Sequence, residues 1–138
     1  MADQARKPAT QPLSPFWTVF RWPFTMVTSL FHRMTGVGLA GGAMIVAWWL
    51  IAAASGPEAY GFFTRIVGTT LGQLVLFGFA WSLAYHLVNG IRHLAWDLGY
   101  GFRVPIATAT GILVFALSLL LAAGAFALAY LGQGGYYQ

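Results

Sequence analysis

Residues 84–97 read AYHLVNGIRHLAWD, and they hold most of the side chains in this chain that could do chemistry. His86 lies inside an apolar run, which ends seven residues later in Arg92-His93 and then Asp97. On a helix, positions 86, 90, 93 and 97 fall on one face, so His86, Gly90, His93 and Asp97 form a stripe. His93, Arg92 and Asp97 stand at the end of the run, where polar heads reach water. His86 lies roughly 10 Å deeper, at about 1.5 Å per residue. An imidazole at that depth must meet protein, a ligand or a cavity.

Two chemistries satisfy it, and residue type leaves both open. The imidazole can donate a hydrogen bond to a carbonyl of a neighbouring helix and hold a bundle together. Alternatively, its neutral nitrogen can ligate a metal, in practice heme iron. Two-imidazole ligation needs a second histidine at similar depth. His32 and His93 are both expected nearer the membrane edge, so the second ligand would come from another chain.

A second group stands in TSLFHRMTGVGLAGG at 28–42. His32 and Arg33 are expected level with Arg92 and His93, four basic or potentially basic groups in one plane with Asp97 the nearby carboxylate. Such a plane suits two anionic carboxylates such as porphyrin propionates. Its plainer role is to snorkel and enforce topology. Ser29 sits one turn before Arg33, and back-bonding to a carbonyl is its ordinary role. Gly38 and Gly42 have the spacing that lets membrane helices approach closely; the same flatness would let a macrocycle lie against the helix.

The elements that must position these groups are membrane helices. Only 7% of the 138 residues are charged and 59% are hydrophobic, against about 25% charged in soluble domains. The class expected is an all-α membrane protein with three transmembrane helices. Apolar segments run over about 29–54, 63–93 and 105–131, each long enough for the ~20 residues that a bilayer core requires. Ser55-Gly56-Pro57 separates the first pair, and the stretch DLGYGFRVP at 97–105 separates the second. Residues 1–28 read as a retained cytoplasmic and interfacial segment, with Phe16, Trp17, Phe20 and Trp22 at the headgroup level. They lack the apolar core and cleavage site of a secretory signal. Residues 132–138 read as a short tail. The third segment holds no charge and is assigned no chemistry.

There is no cysteine and the net charge is +4. Thiolate zinc sites, disulfides and cysteine-held clusters within this chain are thereby excluded. The positive excess fits membrane topology rather than nucleic-acid binding. Arg6, Lys7, Arg21, Arg33, Arg92 and Arg103 gather on one side, and only Arg65 on the other. The N-terminus is therefore expected in the cytoplasm or matrix.

Three stretches together resemble the large cytochrome b subunit of succinate dehydrogenase, complex II. They are PLSP at 12–15, the element Ser29, His32, Arg33, Thr35 and Gly36, and the run from His86 to Gly99 matching H-x-x-N-G-I-R-H-x-x-W-D-x-G. The resemblance covers most of 12–103, and the third helix matches only in character. It implies a membrane anchor of the bacterial cytoplasmic membrane or the mitochondrial inner membrane, without dehydrogenase chemistry of its own, that passes electrons to quinone. It implies heme b with His86 as axial ligand to the iron and His32, Arg33 and His93 at the propionates. It further implies ubiquinone near Ser29 and Arg33, with Trp22-Pro23 where the chain approaches that site. The partners implied are a second small membrane subunit supplying the other heme ligand, an iron–sulfur subunit and a flavoprotein subunit. Relatives often carry a histidine after PLSP, where this chain has Phe16. Rival readings are a heme-free structural anchor, a quinol:fumarate reductase anchor, and a transporter subunit using His86 as a proton relay. The lack of a carboxylate at that depth argues against the last.

Overall fold

The computed structural model describes residues 19–134, all helix and short connections. Helix α1 spans Phe24–Ala54, α2 Pro57–Val67, α3 Thr70–Asp97 and α4 Val104–Gly134. Three of them, α1, α3 and α4, are long and apolar enough to cross a membrane. The chain is a multi-pass, all-α membrane protein. The expected segment at 1–18, with PLSP, Phe16 and Trp17, lies outside the described residues, as does the end of the tail at 135–138.

Local chemistry sets the helix ends. Pro23 caps α1 in an extended conformation, its carbonyl accepting from the Met26 amide at 2.9 Å. A proline has no amide to leave unmet there. Beyond Ala54, Gly56 takes a positive φ of 104° and Pro57 opens α2. Glu58 in the first turn and Arg65 in the last complement the α2 dipole. Thr69 then caps α3, its Oγ1 accepting from the Gly72 amide at 3.1 Å. A side chain on Gly72 would run into the Ile66 carbonyl and the Val67 backbone, so only glycine lets α3 turn back this tightly. The apolar segment expected over 63–93 is thus two elements. Phe63–Val67 closes the short α2, and the spanning helix begins at Thr70.

Helix α3 packs along both α1 and α4. The Gly38–Gly42 spacing is used within the chain: Phe79 of α3 occupies the room a Gly42 side chain would need, and Ser82 Oγ would lie 2.9 Å from a Gly38 Cβ. Gly111 of α4 does the same for Phe24 and Thr28. An aromatic cluster fills the space between the spans. Phe115 lies 5.1 Å from Phe31 and 4.9 Å from Tyr85, centroid to centroid and edge to face. Trp81 donates to Ser118 Oγ on α4 at 3.2 Å. Much of the remaining helix surface is apolar and exposed, including Met34, Val37, Leu83 and Leu87. A bilayer or a partner helix tolerates that, and water does not.

Candidate functional site: a histidine column on the α1–α3 face

The contacts of Gly38 with Ser82 and of Gly42 with Phe79 set an antiparallel register. Counting back from Gly38 to His32 and forward from Ser82 by the same number puts His32 level with Val88. His32 therefore stands between His86 and His93 rather than level with His93. The structure corrects the expected depth by more than a helical turn.

Three imidazoles form a column as a result. The His32 and His86 rings stack with centroids 3.9 Å apart and planes 14° apart. His93 lies 5.2 Å from His32 and meets Trp96 edge to face at 5.0 Å. Stacked rings present faces to each other, so His32 and His86 cannot aim nitrogens from opposite sides at one ion between them. Among the described residues, no group of three His, Asp or Glu side chains forms a metal site.

The tautomer of the His86 ring follows from its neighbours. Its Nδ1 lies 3.2 Å from the His32 carbonyl oxygen. A carbonyl only accepts, so Nδ1 carries a proton, and in the neutral imidazole Nε2 is then the nitrogen with the lone pair. Thr35 Oγ1, 3.3 Å away, is a second acceptor for that proton. Its own hydroxyl is committed to the Phe31 and His32 carbonyls, both at 2.9 Å. Nε2 makes no hydrogen bond to any described residue. A neutral imidazole with one nitrogen tied to a carbonyl and the other free is the form in which histidine binds metal.

The two residues expected beside it are placed on α1 one turn apart. Arg33 is exposed and Ser29 is half-buried. Ser29 is not back-bonded to any described carbonyl, whereas the adjacent Thr28 hydroxyl is, donating to Thr25 at 2.8 Å. Spacing by four puts Ser29 and Arg33 on the same side of α1, and Asp97 is exposed at the end of α3.

Arg92 does not join this face. Its side chain is only 7% exposed and turns into the bundle, away from the expected basic plane. Nε donates to Thr110 Oγ1 at 3.0 Å, Nη1 to Thr28 Oγ1 at 3.1 Å and to Asn89 Oδ1 at 3.3 Å, and Nη2 to the Ala107 carbonyl at 2.6 Å. The guanidinium also lies over Trp96, 4.1 Å from the ring centroid. Tyr85 completes the tie by donating to the Thr28 carbonyl at 3.0 Å. The fourth member of the expected plane is therefore a structural cation joining α1, α3 and α4. Sequence reasoning also missed Thr35 as a partner of His86. The signal was its place three residues after His32, on the same side of α1.

A membrane bundle of three spans with a histidine column on one face defines a class: an all-α integral membrane subunit with an imidazole offered from inside the span. The family model of the succinate dehydrogenase/fumarate reductase transmembrane subunit matches residues 7–125. Over 122 residues the chain is 39% identical to the succinate dehydrogenase cytochrome b556 subunit of Paracoccus denitrificans, covering 88% of this chain and 92% of that one. It is 37% identical over 111 residues to the cytochrome b556 subunit of Rickettsia prowazekii, covering 80% and 86%. To the mitochondrial cytochrome b560 subunit of Sus scrofa it is 36% identical over 118 residues, covering 84% and 70%. The chain belongs to the family of succinate dehydrogenase/fumarate reductase transmembrane subunits.

Proposed function

We propose that the chain is the heme-bearing membrane anchor of a succinate dehydrogenase, and that it helps form the site where ubiquinone is reduced. The observation that carries this reading is the His86 imidazole, protonated at Nδ1 by its commitment to the His32 carbonyl and free at Nε2. The relatives' names as cytochrome b subunits point the same way. Bound at His86, heme b supplies a one-electron store inside the membrane. The donor set fits it: one neutral imidazole within the span, with His32, His93 and Arg33 toward the N-terminal end of α1 as partners for the propionates. His32 is stacked face to face on His86 and is not aimed at a shared ion, so a second imidazole for the iron would come from a second small membrane subunit.

Ser29 and Arg33 serve the quinone. Arg33 holds a permanent cation beside an oxygen that gains negative charge as ubiquinone is reduced, which favours that charge before the oxygen is protonated. Ser29 donates a hydrogen bond to a quinone oxygen and relays a proton to it. Ubiquinone takes up two electrons and two protons, and the electrons originate in succinate oxidation outside this chain. An iron–sulfur subunit and a flavoprotein subunit dock on the side holding Arg33, His93 and Arg103, the cytoplasm or the mitochondrial matrix by the excess of positive charge.

The test uses the whole complex, purified through a tag on this chain. Ser29→Ala and Arg33→Gln should each lower succinate:ubiquinone reductase activity by 10²-fold or so, while succinate oxidation by a soluble dye persists. Equal loss of both activities would contradict a role at the quinone.

A further inference from the structure

We infer that Thr35 and Gly36 of α1 form a socket for the His86 ring, through which α1 sets the donor strength of Nε2. The inference deepens the proposed heme ligation and rests on it. Thr35 carries no role in the reading above, yet it is 4% exposed in a membrane helix and its hydroxyl oxygen lies 3.3 Å from the ring's Nδ1.

Three contacts define the socket. Thr35 Oγ1 spends its own proton on the Phe31 and His32 carbonyls at 2.9 Å, so only its lone pairs face His86 Nδ1 at 3.3 Å. The hydroxyl is thus an acceptor held in place by its own helix. The His32 carbonyl shares the same proton at 3.2 Å. Gly36 lies under the ring edge: a Cβ there would stand 3.3 Å from His86 Cε1, closer than ordinary contact. Stacking of His32 on the ring at 3.9 Å fixes the plane. All of these groups lie within one and a half turns of α1, and none is on α3 with His86 itself.

The chemistry follows from where the Nδ1 proton is pulled. Acceptors at Nδ1–H push electron density through the ring to Nε2, which makes it a stronger donor and favours ferric over ferrous iron. Thr35 is then a positioning residue acting through His86. Gly36 lets the ring come close enough for the Nδ1 bonds to form. This also gives the T-G pair after His32-Arg33 a physical reason distinct from helix packing, which Gly38 and Gly42 serve.

Thr35→Val keeps the branched shape and removes the acceptor, while His86 Nδ1 retains the His32 carbonyl. In the purified complex we expect heme at full occupancy with a raised midpoint potential. The change should be about tenfold in the ferric-to-ferrous preference, the lower end for a lost partner of a metal-bound histidine, or about 59 mV for one electron. Thr35→Ser should return the potential to that of the parent. Gly36→Ala should displace the ring and change the low-spin ferric electron paramagnetic resonance signal. Heme loss in Thr35→Val that Thr35→Ser reverses would support the socket too. A parental potential in Thr35→Val, or equal heme loss in the Val and Ser variants, would overturn it. His86→Ala separates the two levels: if it keeps its heme, the ligand assignment fails, whereas if it loses heme and Thr35→Val stays at the parental potential, only the socket fails.

Discussion

Two polar clusters sit inside the spans of this protein, about a third of a turn apart around α3, and they are built on opposite principles. Around Arg92, every guanidinium nitrogen donates to a described residue, and the partners come from α1, α3 and α4. Around His86, one ring nitrogen is tied to α1 and the other has no described partner. The first cluster spends all of its cation's donors inside the bundle and ties helices together, although the buried Nδ2 of Asn89 has no described partner. The second offers a lone pair outward. Both are polar residues in an apolar run, so polarity within a membrane does not by itself distinguish glue from site. The use that the central side chain makes of its own nitrogens does: Arg92 spends all of them within the chain and His86 leaves one unspent.

The comparison predicts a double dissociation. Arg92→Met should do most damage, because Thr28, Thr110, Asn89 and the Ala107 carbonyl lose a shared donor. Four bonds at the membrane average of about 0.6 kcal/mol each put the loss at about 2 kcal/mol or more. Thermal unfolding of the complex should show it, and whatever folded complex survives should keep its b-type spectrum. Survival at parental stability would break the claim that this cluster is glue.

Gly42→Ala comes next. A Cβ there meets the Phe79 ring and forces α1 off α3, an overpacking that costs about 1–3 kcal/mol. Since this contact sets the register that stacks His32 on His86, it should lower both stability and heme content. An effect on stability alone would show that the column is registered elsewhere. Tyr85→Phe should have the smallest effect. It removes one hydrogen bond to the Thr28 carbonyl at 3.0 Å and keeps the ring packing, about 0.6 kcal/mol by the membrane average. A larger loss would mean the Arg92 cluster depends on that hydroxyl more than its geometry suggests.

Much of this is legible in the sequence. The breaks at Ser55-Gly56-Pro57 and at 97–105 separate apolar stretches long enough to span, and the structure has helix ends there. The start of α3 was not legible, because Phe62, Phe63, Ile66 and Val67 continue the apolar character up to Gly68. The cap at Thr69 was the available sign. Within the site, the depth of His86 followed from its place in one helix. The level of His32 did not, since it depends on the register between two helices. That register is decided by where Phe79 and Ser82 meet glycine. The fate of Arg92 was hidden for a related reason. An arginine at the end of a membrane helix can snorkel or turn inward, and only the threonines of two other helices decide it.

In the proposed function, His86 offers its free nitrogen to a heme. A reduced-minus-oxidised optical spectrum of the complex, purified through a tag on this chain, tests it most directly. We expect a b-type signal at about one heme per chain, lost in His86→Ala while the partner subunits still copurify. A parental signal in His86→Ala, or no b-type signal in the parent complex, would contradict it and leave the imidazole as a tie between α1 and α3.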